Sequence, residues 1–122
     1  MNDEIKKFKN KEYELCILGY FFEGNYYSFD FPMTNYSKDY VIVEPILMLK
    51  FIKYCILHKY SPVIIHNHVD NSIFSEPDLY FMKQYQKLYR KCQGCEIMYF
   101  IVINSKSLEY SVKRWNQEDD ER

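Results

Sequence analysis

His66 and His68 stand two residues apart at the end of the β-branched run Val63-Ile64-Ile65. Side chains at i and i+2 of an extended strand share one face, so both imidazoles can reach a single ion. Zinc favours such nitrogen ligands at about 2.0–2.1 Å, and a catalytic zinc site needs three protein ligands plus an open position for water. Asp78, ten residues after His68, opens the next helical pattern, and a loop of that length can fold back to supply an oxygen ligand. Ser75, three residues before Asp78, would face the same site. Hydrolysis also needs a base that takes a proton from water and passes it to the leaving amine. Glu14, at the head of the first apolar run, is the candidate, with Glu12 as the fallback on the same strand face.

Each of these residues also has a plainer reading. Ser75-Glu76-Pro77-Asp78 spells a helix start, with Ser75 as cap, Pro77 in the first turn and Asp78 near the positive end. A glutamate at a strand edge is usually solvated. Taken together, in this order and after a buried strand, the residues point to a metal site. Cys92-Gln93-Gly94-Cys95 has the CxxC spacing but no partner pair, and reads as a helix end carrying two incidental cysteines. His58 falls on the polar side of its helix. Cys16 and Cys55 fall on apolar faces and read as core.

The elements that must position the site follow from periodicity. Glu14 to Phe22 is an apolar run closed by the turn signal Glu23-Gly24-Asn25, and Tyr26 to Phe31 resumes as its hairpin partner. Pro32 to Asp39 reads as a loop and Tyr40 to Val43 as a short strand. Met48, Phe51, Ile52, Cys55 and Ile56 recur at helical spacing, which predicts a helix over Ile46 to Lys59. A second helix is expected over Pro77 to Lys91, closed by Gly94 as a left-handed cap. Ile97 to Ile103 reads as a buried strand, and Leu108 to Trp115 as its partner across Asn104-Ser105-Lys106-Ser107. Helices alternate with strands, so the expected fold is α/β, a mixed sheet with helices packed on its faces.

A chain of 122 residues has room for one core, here over residues 1–116, with a polar flexible tail over 117–122. The 48% apolar and 19% aromatic content suits a packed domain and not a disordered chain. A formal charge of -1 gives no general attraction to nucleic acid or to anionic membranes. No run approaches the length of a membrane span, and the first residues lack the apolar core of a signal peptide. A cytoplasmic setting with the four cysteines reduced is the expectation.

In this order, Glu14, a helix, His66-Asn67-His68 at a strand end and Ser75-Glu76-Pro77-Asp78 on the next helix, the chain resembles the JAB/MPN (JAMM) metalloprotease family. Glu14-Leu15-Cys16 looks like the family's opening Glu-x-Cys strand, and the likeness covers about residues 12 to 115. Val69 stands where the family commonly has proline, Ile17 where glycine is common, and the loop from His68 to Ser75 is one residue shorter than usual. The resemblance implies a cytidine-deaminase-like domain in which His66, His68 and Asp78 bind Zn2+, Glu14 is the base, and Ser75 steadies the oxyanion. It implies hydrolysis of a peptide or isopeptide bond, with the C-terminal tail of a ubiquitin-like protein as a suggested substrate. The His-Asn-His spelling is also similar to the RadC-like branch, of unsettled activity, and the family includes non-catalytic interaction modules.

Overall fold

The computed structural model describes residues 1–29, 35–36 and 41–116. In chain order the elements are α1 (Asn2–Lys6), β1 (Cys16–Phe22), β2 (Asn25–Ser28), β3 (Asn35–Tyr36), β4 (Val41–Ile42), α2 (Pro45–His58), β5 (Ser61–His68), α3 (Glu76–Lys91), β6 (Met98–Asn104) and β7 (Tyr110–Trp115). Five strands form one sheet in the order β2-β1-β5-β6-β7, and β3 pairs with β4 separately. Within the large sheet β5 and β6 run parallel, while the other neighbouring pairs are antiparallel. The chain is thus a mixed α/β fold, as its alternating periods imply.

The central strands β5 and β6 are buried almost throughout, and β6 is a near-continuous apolar run, the composition expected where both sheet faces are covered. Alternation sends Cys16, Leu18, Ile64, Met98 and Phe100 to one face, where they pack with Met48, Phe51, Ile52 and Cys55 of α2 and Met82 and Tyr89 of α3. Val63, Ile65, Ile101 and Ile103 take the other face, under Ile5 and Phe8 of the N-terminal segment. Helix α1 is absent from the periodicity reading, because it is one short turn in which only Ile5 is a buried hydrophobe. Among the described residues no helix is long and apolar enough to cross a membrane.

Several local expectations are adjusted. The β1–β2 hairpin turns on Glu23 and Gly24 alone, both at positive φ (51° and 81°), so Asn25 already belongs to β2. The expected loop Pro32–Asp39 contains β3 at Asn35–Tyr36; its other residues, with Phe31 and Tyr40, lie outside the described residues, as does the tail 117–122. β5 ends with the two histidines as expected but starts earlier, at Ser61, and β7 starts at Tyr110 instead of Leu108.

Gly94 is not the left-handed residue that ends α3; Gln93 is, at φ 66°. The Gly94 amide donates to the Tyr89 carbonyl and the Gln93 amide to the Arg90 carbonyl, a Schellman closure. Glycine is required for a different reason: a Cβ at position 94 would overlap the buried Tyr89 ring, whose hydroxyl accepts from the Glu96 amide at 3.0 Å. The ring therefore has nowhere to move. Gly94→Ala should destabilise the protein by about 1–3 kcal/mol through overpacking, read as a lower midpoint in urea.

Candidate metal centre

Strand register brings the first carboxylate to the histidines. β1 runs antiparallel to β5 with Cys16 opposite His66, so continuing two residues along each strand sets Glu14 opposite His68. Alternation puts Glu14, Cys16, His66 and His68 on the face that α3 covers. Glu14 is buried at 8% exposure, and its Oε1 lies 3.9 Å from His68 Nε2. Glu12 is exposed and does not join the group.

Helix α3 delivers the second carboxylate. Ser75 is its N-cap: the Ser75 hydroxyl accepts from the Asp78 amide at 3.2 Å, and Asp78 Oδ2 accepts from the Ser75 amide at 2.8 Å. That reciprocal capping box sets the carboxylate's direction. Asp78 Oδ2 is also 3.0 Å from His68 Nε2, and Oδ1 is 3.1 Å from His66 Nε2. Capping and site membership are therefore not alternatives, since one carboxylate does both. The six residues Val69 to Phe74 suffice to bring it there. They are pinned on the way by Ser111 Oγ donating to the Ser72 carbonyl at 2.7 Å.

The four side chains form one cluster. One ligand atom from each of Glu14, His66, His68 and Asp78 lies within 4.8 Å of the other three, an arrangement that could hold a metal ion. Two features fit such an ion. His66 Nε2 is buried and makes no aligned hydrogen bond, although Asp78 Oδ1 is close by. Two imidazole nitrogens with carboxylate oxygens are also a donor set that divalent transition metals accept. A cavity of about 40 Å³ backs onto His66 and Asp78, walled by Cys16, Ile64, Met82 and Phe100. Burial pushes the Cys16 thiol up to about 12, so it stays neutral and serves as a small apolar wall.

Electrostatics lock the cluster together. Burial opposes ionisation of Asp78, but the His66 and His68 imidazoles and the Ser75 amide outweigh it and hold the carboxyl well below the usual carboxylate range. The positive end of α3 acts in the same sense. His68 is pushed up to about 9, chiefly by its hydrogen bond to Asp78, against the opposing effect of burial. Its raised value stabilises the metal-free fold fully below about pH 6.5 and is lost as pH rises through about 9. The depressed Asp78 value adds stability above 3.8, lost only as pH falls through its folded pKa. With a chelator present, the urea midpoint should therefore fall between pH 6 and pH 10. Metal uptake near neutrality should release close to one proton, measurable by calorimetry in buffers of different ionisation enthalpy.

The His68 tautomer is fixed from behind. Asn71 Oδ1 accepts the Ile73 amide at 3.0 Å, which identifies it as the oxygen, and it lies 2.9 Å from His68 Nδ1. In the neutral ring Nδ1 must therefore keep its proton, which leaves Nε2 free to face the cluster. Asn71→Ala should weaken metal affinity by about 10–100-fold, read with a competing chelator dye.

Asn71 went unseen in the sequence, because nothing in a loop sequence marks a partner for a ring nitrogen. Asn67 was read only as the letter between two histidines. The polar type of that residue inside a strand of valine and isoleucine was the available signal: a buried amide needs partners. His58 is exposed, stacked on Tyr60 with ring centroids 5.2 Å apart. Cys92 and Cys95 are free thiols at the end of α3, outside the cluster. No family model, curated protein or solved structure matches this chain.

Proposed function

We propose that the chain is a zinc-dependent hydrolase of the JAB/MPN (JAMM) type, which cleaves a peptide or isopeptide bond. The observation that carries this reading is the meeting of Glu14, His66, His68 and Asp78 within 4.8 Å, with Asp78 presented by the Ser75 cap of α3. His66, His68 and Asp78 would hold the ion, and the mixed sheet with its helices would be a cytidine-deaminase-like domain. Zinc, when bound, supplies Lewis acidity that lowers the pKa of a water and polarises an amide carbonyl. Glu14 takes the proton of the attacking water and delivers it to the departing amine. Ser75 accepts through one lone pair from the Asp78 amide and keeps its own proton to donate to the developing oxyanion. The suggested substrate is the extended C-terminal tail of a ubiquitin-like protein, whether joined to a lysine or followed by residues to be trimmed.

Elemental analysis of protein purified without a histidine tag tests the centre, and incubation with ubiquitin carrying a short C-terminal extension tests the chemistry. Near one zinc per chain and cleavage at the tail support the reading. Two imidazoles and a carboxylate also suit iron(II), so iron in place of zinc would overturn it. No metal after zinc is added back would leave an interaction module with a capped helix.

A further inference from the structure

Between the two histidines, Asn67 points to the opposite face of the sheet and is fully buried. Its Oδ1 accepts from the Leu15 amide at 2.6 Å, and its Nδ2 donates to the Tyr13 carbonyl at 3.0 Å and to Ser105 Oγ at 2.8 Å. The first two partners are the backbone groups on either side of Glu14. The paired register of β1 with β5 runs from Phe21 back to Cys16 and stops short of Glu14. Where the ladder ends, the Asn67 carboxamide takes over. It offers one acceptor and one donor, as a peptide group would, to the next stretch of chain. Its orientation is unambiguous, because the oxygen meets an N–H and the nitrogen meets a carbonyl and a hydroxyl.

The anchor behind it is also rigid. Ser105 is fully buried, its amide donates to the His68 carbonyl at 3.0 Å, and its own carbonyl accepts from the Asn10 amide at 2.8 Å. Asn67 therefore ties the Glu14 segment to the same frame that holds His68. We propose that Asn67 is the positioning residue for Glu14: its carboxamide sets the carboxylate against the histidine pair and takes no part in ligation. The inference rests on the hydrolase reading only in calling Glu14 the base.

The test compares Asn67→Ala and Asn67→Asp with Glu14→Gln and wild type in three measurements: zinc per chain, hydrogen exchange at the Leu15 amide, and kcat, KM and pH profile on extended ubiquitin. Zinc should be retained in every variant. The Leu15 amide should exchange faster in Asn67→Ala. For both Asn67 variants kcat should fall by about a hundredfold with KM unchanged and the acid limb of the profile displaced, as expected for a misplaced base. Asn67→Asp keeps the acceptor for Leu15 and loses the donor for Tyr13, so it carries the comparison if Asn67→Ala does not fold. Loss of zinc together with activity would overturn the inference, since Asn67 would then merely hold β5. Unchanged Leu15 exchange or unchanged kcat would overturn it too. If wild type binds zinc but cleaves nothing, the hydrolase reading fails alone. Positioning is then decided by Leu15 exchange and by the pH titration of the cobalt(II) visible spectrum, in which Asn67→Ala should behave as Glu14→Gln does.

Discussion

Asp78→Asn should strip the proposed zinc centre of its metal and leave α3 intact. The carboxylate has two duties that this substitution separates. As a cap, Asp78 Oδ2 accepts the Ser75 amide, and an asparagine carbonyl can accept the same bond. As a site residue it faces His66 Nε2 and His68 Nε2 at 3.1 Å and 3.0 Å with a negative charge that the amide lacks. Zinc per chain should drop to background in Asp78→Asn, while helical circular dichroism stays at the wild-type level. Asp78→Ala removes both duties and should lose about 1 kcal/mol more from the missing cap. Retention of zinc by Asp78→Asn would remove Asp78 from the ligand set.

Glu14→Gln should have the opposite signature: metal kept and turnover lost. Glutamine preserves the volume of the buried side chain, and the two imidazoles and Asp78 remain. On the proposed hydrolase reading the substitution removes the base while Asp78 stays committed to the ion, so kcat should fall by about 10²–10⁴-fold on extended ubiquitin with zinc unchanged. Glu12→Gln serves as the control, because Glu12 is exposed and outside the cluster. Loss of zinc in Glu14→Gln would make Glu14 a ligand, and full activity would remove it from the chemistry.

The helices were legible because their signals are local. Pro45 and Pro77 mark first turns, and the apolar stripes that follow are long enough to fix the period, so α2 and α3 lie within one residue of their expected bounds. Strand alternation placed His66 and His68 on one face, and helix-start grammar placed Asp78. The arrival of Glu14 beside them was expected only from the family resemblance, because it depends on the pairing of β1 with β5. The capping box and the site had looked like rival explanations of Ser75-x-x-Asp78. They coexist because a carboxylate has two oxygens and several lone pairs to share. What stayed hidden depends on tertiary contact. α1 is held by what Ile5 and Phe8 cover, not by its own periodicity. Gly94 is demanded by the Tyr89 ring across the turn. Asn67 and Asn71 matter through partners that no spacing rule names.

The alternation of β5 has one more consequence. In an ordinary two-faced strand, every second position tolerates exchange because it looks outward. From Ile64 to His68 the side chains turn alternately to α3 and to the N-terminal segment, and all are buried except His66, which is partly so. A mutational tolerance map of this strand should therefore show an unbroken intolerant block instead of a stripe. At Ile64 and Ile65 substitution would be scored in stability, and at His66, Asn67 and His68 increasingly in function.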